Sequence, residues 1–258
     1  MRSSRHPSFV LLVLAAAVLF GAATGFAQTP GEDFFKPITF RDIGPTAQGM
    51  RFVDFAVPLQ KPYTFYAASS SGGLLKTENN GQTFEWLFEN ESVISIGDIA
   101  VAPSNPNILY LGSGEANSSR STYWGDGIYK STDAGKTWKN VGLKESHHIG
   151  RIVVHPSNPD VVYVAALGHL YSENPERGVF ITRDGGKTWT KAGFQTNDFS
   201  GKRDVGVCDI VMNPNNPDVL YCAAYDKLRK PWTYMIGGPG SAIYKSTDAK
   251  PSESETPA

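Results

Sequence analysis

Glu115 and Asp126 bracket one polar segment, Glu115-Ala116-Asn117-Ser118-Ser119-Arg120-Ser121-Thr122-Tyr123-Trp124-Gly125-Asp126. Two carboxyls of this kind are the minimum equipment of a glycosidase. They would stand about 5–5.5 Å apart in a retaining enzyme and about 6.5–9.5 Å apart in an inverting one. Trp124 beside them is a ring that stacks on a sugar face or docks a peptide. Other polar stretches carry a similar mixture, and the candidate ligand-binding set is Trp124, His147, His148, Arg151, His169, Glu176, Arg177, Asp226 and Trp232. His147 and His148 are adjacent, and neighbours on an extended chain point to opposite sides, so no metal site is expected from them and no cofactor is implied. Cys208 and Cys222 flank one turn; either a cross-strand disulfide or two buried thiols fits them.

Two interleaved templates dictate the elements that carry these residues. The first reads Ile99-Ala100-Val101-Ala102-Pro103-Ser104-Asn105-Pro106-Asn107-Ile108-Leu109-Tyr110, and it recurs at Ile152 to Tyr163 and at Ile210 to Tyr221. The second reads Gly127-Ile128-Tyr129-Lys130-Ser131-Thr132-Asp133-Ala134-Gly135-Lys136-Thr137-Trp138 and recurs at Gly178 to Trp189. A weaker copy runs from Leu75 to Phe84, and a broken one starts at Ala242. A period of about fifty residues with four short strands per unit indicates an all-β fold, a β-propeller of four-stranded antiparallel blades. The strands are lettered A to D within each unit. Pro-Ser-Asn-Pro turns join A to B, and Asp-x-Gly turns join C to D. About four blades are expected, near 44–88, 96–142, 149–192 and 207–250.

Strand direction alternates, so the B–C and D–A connections share one end of every blade. These are the long, variable ones, and binding residues concentrate on such loops. The same alignment sets Asp54, Asp98, Arg151 and Asp209 at one position of the A strands, as a ring of inter-blade ion pairs around the axis.

The segments Ser131 to Trp138 and Thr182 to Trp189 match the Asp box, Ser/Thr-x-Asp-x-Gly-x-Thr-Trp. On these residues the chain resembles the sortilin/VPS10-like and BNR-repeat propellers, including bacterial secreted proteins described as glycosyl hydrolases. The resemblance implies that Ser131, Asp133, Gly135, Trp138, Thr182, Asp184, Gly186 and Trp189 are fold residues. Two enzyme groups among such propellers are disfavoured. Phe40-Arg41-Asp42-Ile43-Gly44-Pro45 interrupts the sialidase Phe/Tyr-Arg-Ile-Pro motif, and Gln48 to Asp54 lacks the glycine run of xyloglucanase-type propellers. The preferred function is a binding or scaffold module that grips a peptide or polysaccharide through the loop face. The alternative is a glycoside hydrolase with Glu115 and Asp126 as its catalytic pair.

Composition narrows the partners. A net charge of −1 excludes a polybasic nucleic-acid binder, and 19% charged residues with abundant aromatics favours strands over helices. Arg2 and Arg5 precede an apolar run from Phe9 to Phe20 and the small residues up to Ala27, which reads as a cleaved signal over 1–27. A secreted or periplasmic location follows, without membrane insertion after cleavage. Residues 28–43 read as a lead-in and 251–258 as a disordered tail. The fourth Asp box stops at Lys250-Pro251, so the propeller is expected to be incomplete and to meet the remaining blades of a larger one.

Overall fold

The computed structural model describes residues 50–119, 122–192 and 205–249. The signal segment 1–27, the lead-in 28–43, Arg120, the D–A stretch 194–203 and the tail 251–258 lie outside them.

Blade 1 contains β1 (Phe52–Ala56), β2 (Phe65–Ser69), β3 (Gly73–Thr77) and β4 (Glu85–Leu87). Blade 2 contains β5 (Ile96–Val101), β6 (Leu109–Ser113), β7 (Ile128–Ser131) and β8 (Lys139–Asn140). Blade 3 contains β9 (Ile149–Val154), β10 (Val162–Ala166), β11 (Gly178–Thr182) and β12 (Thr190–Lys191). Each is a four-stranded antiparallel meander in which sequence neighbours are sheet neighbours. Blade 4 pairs β13 (Gly206–Asn213), β14 (Asn216–Tyr225) and β17 (Ala242–Ser246). Its B–C connection, read as loop from sequence, folds instead into a hairpin of β15 (Leu228–Lys230) and β16 (Thr233–Met235). The repeated four-stranded blades form a β-propeller.

Successive blades are glued face to face by three cores. Tyr66, Leu74, Ile99, Leu109 and Leu111 pack between blades 1 and 2. Tyr110, Ile128, Ile149, Val162 and Val164 pack between blades 2 and 3, and Tyr163, Val179, Ile181, Val207 and Ile210 between blades 3 and 4. A central strand therefore has a neighbour on both sides. That is why β6, Leu-Tyr-Leu-Gly-Ser, is buried at every position instead of alternating with solvent. The B-strand tyrosines bury their rings and send their hydroxyls to the next blade. Tyr66 donates to the Ala134 carbonyl at 3.0 Å and Tyr110 to the Pro159 carbonyl at 2.9 Å.

The turn around Asp133 shows why its residue types recur. Asp133 Oδ1 accepts from the Thr137 N–H at 2.9 Å and from the Ser131 hydroxyl at 2.8 Å, while Oδ2 accepts from the Thr137 hydroxyl at 2.6 Å. These donors pull the Asp133 carboxyl down to about 2, the Thr137 hydroxyl contributing most. Gly135 takes φ 89°, and a Cβ there would press on Leu87 of the preceding blade. The Asp184 turn repeats the pattern through Thr182 and Thr188. In blade 1, Asn79 and Thr83 make the corresponding bonds with an amide in place of the carboxylate.

The innermost strand of every blade carries a bulge just before one charged residue. The register breaks at Val53 before Asp54, at Gly97 before Asp98, at Gly150 before Arg151 and at Cys208 before Asp209. A bulge re-aims the side chain that follows it, so the four are turned toward one another. Arg151 Nη1 donates to Asp98 Oδ1 at 2.9 Å and to Asp54 Oδ1 at 3.4 Å, and its Nε to Asp209 Oδ1 at 3.2 Å. Asp98 Oδ2 also accepts the Ile152 N–H of the next blade at 2.7 Å. One guanidinium thus ties all four blades together, as the alignment of the A strands predicts.

Candidate functional site

The B–C and D–A segments of blades 2, 3 and 4 are stitched to one another. Lys227 Nζ donates to the Ser118 hydroxyl at 2.8 Å and Arg229 Nη1 to the Ser118 carbonyl at 2.6 Å. His148 Nδ1 lies 2.8 Å from the Glu115 carbonyl, and the Gly125 N–H donates to the His147 carbonyl at 2.7 Å. Asn174 joins two loops by itself, with its amide NH2 on the Glu145 carbonyl at 2.7 Å and its Oδ1 accepting the His169 N–H at 2.8 Å. The loop face is held together by these hydrogen bonds, of which the His148–Glu115 contact is buried.

Several residues expected at the ligand have their polar atoms engaged by neighbouring parts of the fold. Glu115 is 1% exposed; its Oε2 takes Arg51 Nη2 at 2.7 Å and its Oε1 lies 3.5 Å from Asn117 Nδ2. Asp126 accepts the Tyr129 hydroxyl at 2.9 Å, the Ser92 hydroxyl at 2.5 Å and the Ser113 hydroxyl at 3.4 Å. Arg177 is buried and braces the 169–174 loop through the His169 and Ser172 carbonyls and Asn174 Oδ1. Asp226 is buried against the Gly240 N–H. His148 is buried as well, and burial first, then the charge of Lys227, drives its imidazole down to about 3, so it stays neutral. Burial also lowers Lys227 to about 8, with Arg177 adding to the effect. Arg151 belongs to the axial ion-pair ring.

Of the remaining candidates, the two tryptophans present their rings to solvent, while His147, His169 and Glu176 are partly buried. Trp124 is 68% and Trp232 81% exposed, and Tyr123, Tyr171 and Tyr234 are also exposed. Arg229 lies between two of them, 4.8 Å from the Tyr234 ring centre and 5.9 Å from that of Tyr171. Trp124 stacks on His147 with centroids 6.1 Å apart, and His147 stacks on His169 at 3.6 Å. His147 and His148 do diverge, with their rings near perpendicular, because His147 adopts φ 55° at the end of a short 3-10 turn, Lys144–Ser146. Glu145 Oε2 stands 3.5 Å from His169 Nε2 and 3.9 Å from His147 Nε2. Burial lowers the His147 imidazole, the neighbouring His169 adding to it against Glu145. Glu176 is pushed up, mainly by burial and partly by Glu145, although backbone N–H groups of Glu145 and Ser146 oppose the shift.

The sequence reading left out Arg51, Glu145, Ser172 and Asn174. Glu145, Ser172 and Asn174 come together because the D–A segment entering blade 3 lies beside that blade's own B–C loop, a juxtaposition that only the folded blade creates.

Residues 126–252 match the Sortilin-Vps10 family model, described as sortilin, neurotensin receptor 3. Among solved structures the chain is similar to an ancestral GH74 enzyme, with TM-score 0.58 and 21% identity over 81% of this chain and 24% of that one. It is also similar to a GH74 enzyme of Niastella koreensis, with TM-score 0.54 and 21% identity over 75% and 28% of the two chains. A GH74 xyloglucanase from Xanthomonas campestris gives TM-score 0.51 and 20% identity over 77% and 29%. The chain therefore spans less than a third of the length of these structures, and the likeness is one of fold. A search of curated proteins gives no match. Among the described residues no helix is long and apolar enough to cross a membrane.

Proposed function

We propose that this propeller is an extracytoplasmic ligand-binding or scaffold module that grips a peptide or polysaccharide through its B–C and D–A loop face. The observation that carries the reading is a set of exposed rings, Trp124, Tyr171, Trp232 and Tyr234, on loops tied to one another by hydrogen bonds. Aromatic rings supply large contact area at low entropic cost when their scaffold is already ordered. The secreted or periplasmic location rests on the apolar run within residues 1–27.

Binding is preferred over hydrolysis because Glu115 and Asp126 are occupied by Arg51, Tyr129 and Ser92, which favours supporting roles for both carboxyls. Glycan and peptide arrays, run beside a panel of chromogenic glycosides, test the reading. Saturable binding without turnover is expected. Glycoside hydrolysis abolished by Glu115→Gln or Asp126→Asn would establish the enzyme instead.

A further inference from the structure

We propose that Glu145, His147 and His169 form a binding site for one divalent transition-metal ion of zinc-like character. Their ligand atoms all lie within 4.8 Å of one another. With metal–ligand bonds of about 2.1 Å, tetrahedral geometry puts ligand atoms about 3.4 Å apart. The Glu145 Oε2 to His169 Nε2 separation of 3.5 Å already meets this. His147 Nε2, 3.9 Å from Glu145 Oε2, joins them once its half-buried ring turns out of the 3.6 Å stack on His169, because the in-plane lone pairs of near-parallel imidazoles do not converge on one ion.

A second observation points the same way. His169 Nε2 is sealed from solvent and, among the described residues, makes no hydrogen bond, an unfavourable state for a buried polar atom. Its other ring nitrogen, Nδ1, lies 2.7 Å from the Ser172 hydroxyl. That partner fixes the ring and leaves Nε2 as the ligand atom, the arrangement outer-shell groups impose on metal-bound histidines. The backbone is preset too, since Asn174 holds both the Glu145 carbonyl and the His169 N–H. Two imidazoles and a carboxylate suit zinc and its borderline neighbours over calcium or magnesium, and three protein ligands leave a fourth position for water or a ligand group. The site stands whether or not the aromatic face binds a peptide or a glycan.

The test uses the untagged full chain, stripped with a chelator, then titrated with Co2+ by visible absorption and with Zn2+ by calorimetry. One ion per chain is expected, with the d–d absorption of a low-coordinate Co2+ site. Because loss of an outer-shell partner weakens metal binding by about 10–100-fold, Ser172→Ala should fall in that range and His147→Ala or His169→Ala beyond it. His155→Ala, on an A–B turn, should change nothing. Glu145→Gln alters only an exposed side chain, so it carries the same expectation should a histidine variant misfold. Absence of saturable Co2+ binding to the wild-type chain, or affinity unchanged in both Glu145→Gln and His147→Ala, would overturn the site.

Discussion

Replacing Arg151 by Met removes the single cation shared by Asp54, Asp98 and Asp209 while keeping most of its aliphatic stem. Asp98 is the residue that suffers. It is 2% exposed, and without the guanidinium it keeps the Ile152 N–H and the Asp54 carboxyl, which repels it, as its neighbours. Breaking a buried ion pair from one side costs about 3–5 kcal/mol, and the half-exposed guanidinium places this change near the lower end, about 3 kcal/mol. The cost must depend on pH with a definite sign. Burial first, then the neighbouring Asp54 carboxylate, already raises the Asp98 carboxyl well above its ordinary value despite Arg151. A carboxyl raised in the folded state contributes fully below its unfolded value, near pH 4, and loses that contribution as pH climbs through the folded value. Deleting Arg151 raises Asp98 further and widens that window. Urea denaturation at pH 7.5 and pH 4.5 measures it. The gap between wild type and Arg151→Met should be about 3 kcal/mol at the higher pH and clearly smaller at the lower. Equal midpoints at pH 7.5, or a gap that grows on acidification, would refute the reasoning.

Three further outcomes follow from particular contacts. Trp189 donates its indole N–H to the Val141 carbonyl at 2.7 Å, whereas the buried Trp138 N–H has no partner among the described residues. Trp189→Phe should therefore cost about 1 kcal/mol more than Trp138→Phe in paired thermal melts, and equal losses would contradict the bond's role. Gly114 sits at φ 84°, with its missing Cβ aimed onto the His147 carbonyl oxygen. Gly114→Ala should destabilise by about 2–3 kcal/mol and weaken Co2+ binding in parallel; an unchanged melt would refute the close approach. Cys208 and Cys222 are free thiols, both raised chiefly by burial, Cys222 to about 11. Both should react with Ellman's reagent slowly in the folded chain and fast in denaturant, while an intact mass two hydrogens short would show a disulfide.

The blades and their cores were legible because each rests on a local pattern repeated along the chain. The axial ring was legible for the same reason, since Asp54, Asp98, Arg151 and Asp209 recur at one strand position. The bulges that aim them have no common residue type, being Val53, Gly97, Gly150 and Cys208, so alignment alone did not reveal them. The β15–β16 hairpin was missed because Pro231-Trp232 carries none of the Asn-Gly or Asp-Gly chemistry that marks a two-residue turn. The loop face was only half legible. Trp124 and Trp232 stand exposed on it, but Glu115 is buried by Arg51, which arrives from before the first strand. The His147–His169 stack depends on two connections of different classes meeting in space, which no linear spacing encodes.

The central claim is that the loop face, and no other surface, holds the ligand. Calorimetric titration of the strongest array ligand into wild type, Trp124→Ala/Trp232→Ala and Gln60→Ala measures it directly. Gln60 lies on the A–B side, where it donates to the Pro103 carbonyl. Stacked rings contribute about 0.5–1.5 kcal/mol each, so the double tryptophan variant should lose about 5–150-fold in affinity, with its melt unchanged because both rings are exposed. Gln60→Ala should bind as wild type does. Full affinity in the double tryptophan variant, or a loss confined to Gln60→Ala, would contradict the account.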